Sequence, residues 1–397
     1  MAPMQIGIPY MGSKRWTAGH VYSANLIAAL KSLPPEDRPE LTVFLGPRRS
    51  RNEARNHRDS CEVATYGCRD AGRWYSALAG GLISLSKGGS PFGLARVARN
   101  RKIDVLFPMT LSISPRFPTP WMGWVADYQC MHFPEFWARS DAAFRRNIEA
   151  LSRTAPFLVV SSEAAKRDAQ NFFDRSTDIA TLPFALLPTK EWYARDPISV
   201  ARRFGLPERF VVFPSQFWKH KDHETLIRAM LILKARGRRD LTLVLCGLPK
   251  DTRDAAYGKR VLRLIGDSGL GEQIRVLGYI PRADVIALMR RAVGIVQPSR
   301  FEGWSALVEE ARSLGKPLVV SDLPVHREQD PPRARFFPAG DAAALAGALA
   351  ELWETGRSGP DQEVEESARK DATERGAAFG RRFIAIAREA IGVFGRS

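Results

Sequence analysis

Two glutamates and a lysine carry the most informative chemistry in the chain. Glu302 and Glu310 stand eight positions apart in Ser299-Arg300-Phe301-Glu302-Gly303-Trp304-Ser305-Ala306-Leu307-Val308-Glu309-Glu310-Ala311, a stretch that reads as a loop running into a helix. At about 100° per residue, Leu307, Val308, Ala311 and Leu314 form one apolar stripe, with Glu310 at its edge about 40° from Leu314, while Glu309 points away. A carboxylate beside a core-facing stripe needs hydrogen-bond donors, because burying an unsatisfied charge is costly. Sugar or ribose hydroxyls are suitable donors, so Glu310 demands an explanation that Glu309 does not. Lys221 lies in Phe213-Pro214-Ser215-Gln216-Phe217-Trp218-Lys219-His220-Lys221-Asp222-His223, which leaves a strand and enters a helix marked by Leu226, Met230 and Leu233. A cation there is slightly unfavourable beside the helix dipole, yet lysine and dipole together attract an anion such as a diphosphate. An ordinary solvated lysine is the plain alternative.

The elements that must hold these groups are legible around them. Ser305 can cap the helix after Glu302, and Gly315 with Pro317 just beyond can end it. Gly303 lets a ligand approach the backbone, and amides from Trp304 onward form a partly positive site for phosphate oxygens. An ordinary capped helix needs no more than this. No Asp-x-Asp sequence occurs, so the loop that commonly bridges a metal to a sugar nucleotide is absent. Cationic and helix-dipole stabilisation must then replace a divalent ion, and no metal site is expected.

Short β-rich runs alternate with helical patterns throughout. In the first half the expected strands are Met4 to Pro9, Leu41 to Leu45, Ile103 to Phe107, Gly123 to Asp127 and Phe157 to Ser161. In the second they are Phe210 to Phe213, Leu241 to Cys246, Ile274 to Leu277, Gly294 to Gln297 and Pro317 to Ser321. This alternation predicts an α/β fold of two Rossmann-like domains whose parallel sheets face one another across a cleft, with ligands beyond the carboxyl ends of the strands. Turn chemistry at Ala194-Arg195-Asp196-Pro197 divides residues 1–193, an acceptor domain, from residues 198–375, a donor domain. The polar stretch from Gly356 to Asp371 reads as an exposed connector or helix start. Phe379, Phe383, Ile386 and Ala390 then recur at helical spacing, so 376–397 is an amphipathic helix that packs on a domain, with the first domain as its expected partner.

A length of 397 residues and 45% apolar content suit two cores. The net charge of +16 implies attraction to anions. Arg48, Arg49, Arg51, Arg55 and Arg58, then Arg96, Arg99, Arg101 and Lys102, are the densest basic runs; they read either as a solvated face or as one turned to a membrane or an acceptor. No recognition motif supports nucleic acid. Cys61, Cys68, Cys130 and Cys246 lack metal-ligand spacing and read as reduced thiols. With neither a signal-peptide core nor a membrane span in view, a cytoplasmic protein is expected, peripheral to the inner membrane if the basic runs meet anionic lipid.

The ordered series of strand, Lys221 and helix, then Leu277-Gly278-Tyr279-Ile280-Pro281, then Ser299 through Glu310 and Gly315-Lys316-Pro317, resembles family 4 of the glycosyltransferases, which have the two-domain GT-B fold. The similarity runs from about Phe210 to Asp341 and includes Ser321-Asp322-Leu323-Pro324 and Glu328. In the first half Trp16-Thr17-Ala18-Gly19-His20 looks like the family's glycine-bearing loop, Ser161-Ser162-Glu163-Ala164-Ala165 like a later motif, and Leu182-Pro183-Phe184 like the exit to the linker. The resemblance implies a retaining, metal-independent transfer of a sugar from a nucleoside diphosphate to an acceptor hydroxyl. Glu310 would hold the ribose, Glu302 and the backbone at Gly303, Trp304 and Ser305 the sugar, and Lys221 the leaving diphosphate. Gly19, Gln216, Lys219, Tyr279 and Ile280 would complete the donor site, the last two near the base.

Two departures stand out. Gln216 occupies the place of an arginine common five positions before the lysine, so Lys219 or helix amides must compensate. Ala126 replaces a histidine common before the aspartate in Trp124-Val125-Ala126-Asp127-Tyr128-Gln129, leaving Asp127 alone or with His132 as the substitute, although a packed or surface role suits His132 better. The expected partners are a nucleotide sugar and a saccharide or lipid-linked acceptor of surface polysaccharide or glycolipid assembly. A non-catalytic nucleotide-sugar or saccharide binder on the same scaffold is the alternative that the two departures favour.

Overall fold

Strand interiors such as Val211-Val212-Phe213 and Leu318-Val319-Val320 are wholly buried, as expected of parallel strands covered on both faces. A computed structural model describes residues 2–11, 17–45, 61–65, 92–137, 141–251 and 253–395. The chain forms two compact units, one comprising Met1–His132, Arg139–Ala185 and Arg375–Ser397, the other Phe133–Ala138 and Leu186–Glu374.

The first unit holds β1 (Gln5–Pro9), β2 (Glu40–Leu45), β3 (Glu62–Thr65), β4 (Val105–Met109), β5 (Trp121–Val125), β6 (Phe157–Val160) and β7 (Ile179–Thr181) in the order β3-β2-β1-β4-β5-β6-β7. The second holds β8 (Val211–Pro214), β9 (Leu243–Cys246), β10 (Ile274–Gly278), β11 (Gly294–Gln297), β12 (Leu318–Ser321) and β13 (Ala334–Phe337) in the order β10-β9-β8-β11-β12-β13. Every pairing in both sheets is parallel. Two parallel-sheet α/β units of this kind are the GT-B architecture.

Each of the ten expected strands is present, with ends shifted by up to two residues. The three missed, β3, β7 and β13, all lie at sheet edges. An edge strand is covered less completely, and the half-buried Ala334-Arg335-Phe336 lacks the continuous apolar run that marks a central one.

The polar stretch is a connector as far as Asp361 and a helix start beyond it, since one helix runs from Gln362 to Phe394. Its later turns belong to the first unit, where Phe379, Phe383, Ile386 and Ala390 are buried and the Phe383 ring lies 5.3 Å from that of Phe107. Among the described residues no helix is long and apolar enough to cross a membrane. Of the basic runs, Arg48 to Arg58 and Cys68 fall outside the described residues; Arg96 and Arg99 are exposed on the helix Phe92–Asn100, and Arg101 pairs with Glu62. Cys61, Cys130 and Cys246 are free thiols.

Candidate functional site

In the second sheet the chain runs outward from β8 through β9 to β10, then returns to β11 on the other side of β8. At such a reversal the loops after the two central strands part and open a crevice at their carboxyl ends. Those are the loops that carry Lys221 and Glu302.

After β8 the chain makes a tight turn at Lys219–Lys221, and Asp222, in the left-handed region at φ 54°, caps the helix His223–Ala235 by accepting from the Thr225 amide at 3.2 Å. Lys221 thus stands one residue outside the cap. The Gln216 side-chain oxygen accepts from the Leu248 amide at 2.9 Å, and the Phe217 amide donates to the Leu248 carbonyl at 3.2 Å. Gly247 permits this stitch: at φ 142°, a Cβ there would fall 2.1 Å from the Ser215 carbonyl oxygen.

The loop after β11 delivers Glu302 to the lysine. Lys221 Nζ donates to Glu302 Oε1 at 2.6 Å, with the two side chains 16% and 9% exposed. Gln297, the last residue of β11, donates from Nε2 to the same oxygen at 2.8 Å and to Ser305 Oγ at 3.1 Å. Ser305 caps the helix Ala306–Ser313 through the Val308 amide, as expected, and Gly315 follows at φ 62°. The Ser305 amide itself donates to Gln329 Oε1 at 3.1 Å, which leaves Ala306 and Leu307 as the first-turn amides without a side-chain acceptor among the described residues.

Glu310 and Glu309 reverse the sequence expectation. Glu310 is buried at the stripe's edge, but its donor is a protein group: Arg282 Nη2 lies 2.6 Å from Oε1. Oε2 has no hydrogen-bond partner among the described residues. Glu309, expected to face away, is the more deeply buried at 0% exposure. The helix is covered on its polar back as well as on its apolar stripe: Gln329 Nε2 donates to Glu309 at 3.0 Å, and Ser313 Oγ donates to the Leu186 carbonyl at 3.0 Å. A stripe count assumes one buried face and fails for an eight-residue helix covered on two.

The remaining expected residues have definite places. Lys219 sets its ammonium over the Phe136 ring, 4.7 Å from the centroid, while its amide donates to Asp251 at 3.1 Å. Tyr279 is 69% exposed beyond β10, and Ile280 beside it is buried. In the first unit Asp127 follows β5 and accepts from the Gln129 amide at 3.0 Å. His132 bonds Asp168 at 2.8 Å and meets Phe172 edge-on, so it is a packed surface histidine. Gly19 sits inside the first turn of the helix Thr17–Lys31 rather than in a loop; Trp16 lies outside the described residues.

Four site residues escaped sequence reasoning: Gln297, Gln329, Arg282 and His326. Only Gln297 carried a signal, a polar residue closing the apolar run Gly294-Ile295-Val296. His326 is fully buried, and its Nδ1 lies 2.8 Å from the Ser321 carbonyl. Burial keeps the rings of His220, His223 and His326 neutral, with help from the nearby Lys221 charge; His223 is pushed down to about 3.

Residues 195–373 match the family model described as Glycosyl transferases group 1. The match covers somewhat less than half of the chain and takes in the whole second sheet. Of the second-unit residues placed in the site above, Leu186 and Phe136 lie outside the matched segment and the rest lie within it. A phosphatidyl-myo-inositol mannosyltransferase of Mycobacterium leprae is 40% identical over 87 residues, 21% of this chain and 23% of that protein. An alpha-D-kanosaminyltransferase of Streptomyces kanamyceticus is 25% identical over 178 residues, 44% of each chain. These alignments span less than half of the relatives' own lengths. Among solved structures, a glycosyltransferase from Rickettsia africae superposes with a TM-score of 0.64 at 13% identity, covering 98% of this chain and 99% of that one. Anabaena HepE, solved with UDP and glucose, gives 0.63 at 16% identity, covering 96% and 98%. Such likeness shows the fold alone, which is GT-B.

Proposed function

We propose that the protein is a glycosyltransferase that moves a sugar from a nucleoside diphosphate to an acceptor hydroxyl with retention of configuration. The observation that carries this reading is the Lys221–Glu302 pair at the strand-order reversal of a group 1 domain. An ammonium held by a carboxylate, with uncapped helix amides on the same loop, can release itself to a diphosphate while the carboxylate takes sugar hydroxyls. Lys221 and the amides of Ala306 and Leu307 stabilise the leaving diphosphate, and their effect grows as charge builds on the departing oxygen. Glu310 receives the ribose through Oε2, and the base lies by Tyr279 and Ile280. Catalysis rests on leaving-group stabilisation and positioning, with no divalent ion required. With Gln216 spent on Leu248, and Lys219 on Phe136, Lys221 is the principal side-chain cation of the site.

The first unit takes the acceptor, and Asp127 is the residue there assigned to it. The likeness to a phosphatidyl-myo-inositol mannosyltransferase supports a lipid-linked acceptor, in keeping with surface polysaccharide or glycolipid assembly. The exposed Arg96 and Arg99 suit a peripheral contact with anionic lipid. Flotation with liposomes rich in anionic lipid tests that contact: salt-sensitive binding is expected, and its absence removes the membrane from the proposal.

Purified protein offered UDP and GDP sugars should release nucleoside diphosphate in the presence of acceptor. Saturable binding of a donor without such release favours the other reading, a binder on a transferase scaffold, for which the engaged Gln216 and the Arg282–Glu310 pair speak.

A further inference from the structure

Beneath the Lys221–Glu302 pair lies a buried polar layer that the transfer reaction as described does not use. Gln297, Ser299, Ser321 and His326 are each 0% exposed. Ser321 Oγ donates to the Ser299 carbonyl at 2.6 Å, and His326 Nδ1 donates to the Ser321 carbonyl at 2.8 Å. A carbonyl only accepts, so Nδ1 carries the hydrogen, and in the neutral ring Nε2 is a bare acceptor. That atom has no partner among the described residues, and neither have Gln297 Oε1 and Ser299 Oγ. An orphaned acceptor in a buried layer is costly, and a proton on it would turn it into a donor.

The charges around the ring say when that proton arrives. Glu302, from the loop after β11, favours the protonated ring; Lys221, from the loop after β8, disfavours it. Asp322, at the end of β12, also favours it, but its carboxylate is held by Arg327, on the same helix as His326, at 2.6 and 2.8 Å. Lys221 sits on Glu302 and serves that carboxylate, so burial and the lysine together keep the imidazole neutral. A diphosphate that draws Lys221 away leaves Glu302 with Gln297 Nε2 as its hydrogen-bond donor in this layer, and adds negative charge nearby.

We infer that His326 takes up one proton from solvent when the donor's diphosphate draws Lys221 off Glu302, and that the resulting imidazolium balances the released carboxylate. His326 is then a positioning residue: it keeps the Glu302 carboxylate aimed at the sugar during turnover. The inference rests on the proposed donor site. By linkage, the donor binds more tightly as pH falls through the ring's donor-bound pKa, by up to about tenfold per pH unit.

Calorimetric titration with UDP-glucose and GDP-mannose tests it, because their diphosphate diesters do not titrate near neutrality. Run in two buffers of different ionisation enthalpy, the wild-type protein should show net proton uptake on binding, and its Kd should fall between pH 8 and pH 6. In His326→Gln both effects should vanish. Imidazole NMR of the wild-type protein provides a check that needs no variant: one buried ring should pass from the neutral to the protonated shift on addition of donor. Tight binding with buffer-independent enthalpy, or equal uptake in the variant, overturns the inference alone. Failure of both sugars to bind overturns the donor-site reading beneath it.

Discussion

The lysine and two glutamates did not prove equally legible. Lys221 and Glu302 meet at 2.6 Å because each ends a loop at the same crevice, a placement that follows from strand order and was readable from the alternation of strands and helices. Glu310 was flagged by burial alone, and that argument could not tell a ligand hydroxyl from Arg282, a donor 28 positions away. Gln329 and His326 were invisible for the same reason, since long-range polar pairing leaves no local period. Lys221→Ala should lower kcat by roughly 10²–10³ with a smaller change in KM, the range seen when one transition-state donor is removed. Glu310→Ala should act mainly on donor KM, because the ribose it is proposed to hold would be bound alike before and during transfer. Steady-state kinetics with varied donor separates the two; matching effects on both constants in both variants would remove the division of labour.

At the scale of elements, central strands announced themselves, and of the four edge strands only β10 did, the other three lacking a long apolar run. Capping was readable too: Ser305 does cap the helix Ala306–Ser313. Replacing it with alanine should cost about 1 kcal/mol, and more where Gln297 Nε2 loses its second acceptor. Urea unfolding followed through the second unit measures this. Gly247→Ala should be worse, since the added Cβ meets the Ser215 carbonyl and the backbone there is left-handed. The stitch between Gln216 and Leu248 should open, so donor affinity should fall along with the urea midpoint. A variant with unchanged midpoint and affinity contradicts the role given to that close approach.

For the whole molecule, buried neutral histidines tie stability to pH. His220, His223 and His326 have depressed pKa values when folded but ordinary ones near 6.5 when unfolded. Their contribution is fully present above about pH 6.5 and is lost as pH falls, because only the unfolded chain then binds the protons. Each ring costs up to about 1.4 kcal/mol per pH unit below that point. All three lie in the second unit, so calorimetric scans from pH 7.5 to 5 should show its transition falling first; a pH-independent transition contradicts the burial argument.

The central claim is that Lys221 grips a nucleoside diphosphate at the reversal of the second sheet, and ligand-induced stabilisation tests it most directly. A ligand bound only by the native state raises its stability by mass action, about 2.7 kcal/mol at a hundredfold excess over Kd. With UDP and GDP titrated separately, one should raise the melting temperature of the wild-type protein by several degrees and raise that of Lys221→Ala by clearly less. No rise with either nucleotide, or an equal rise in the variant, contradicts the claim.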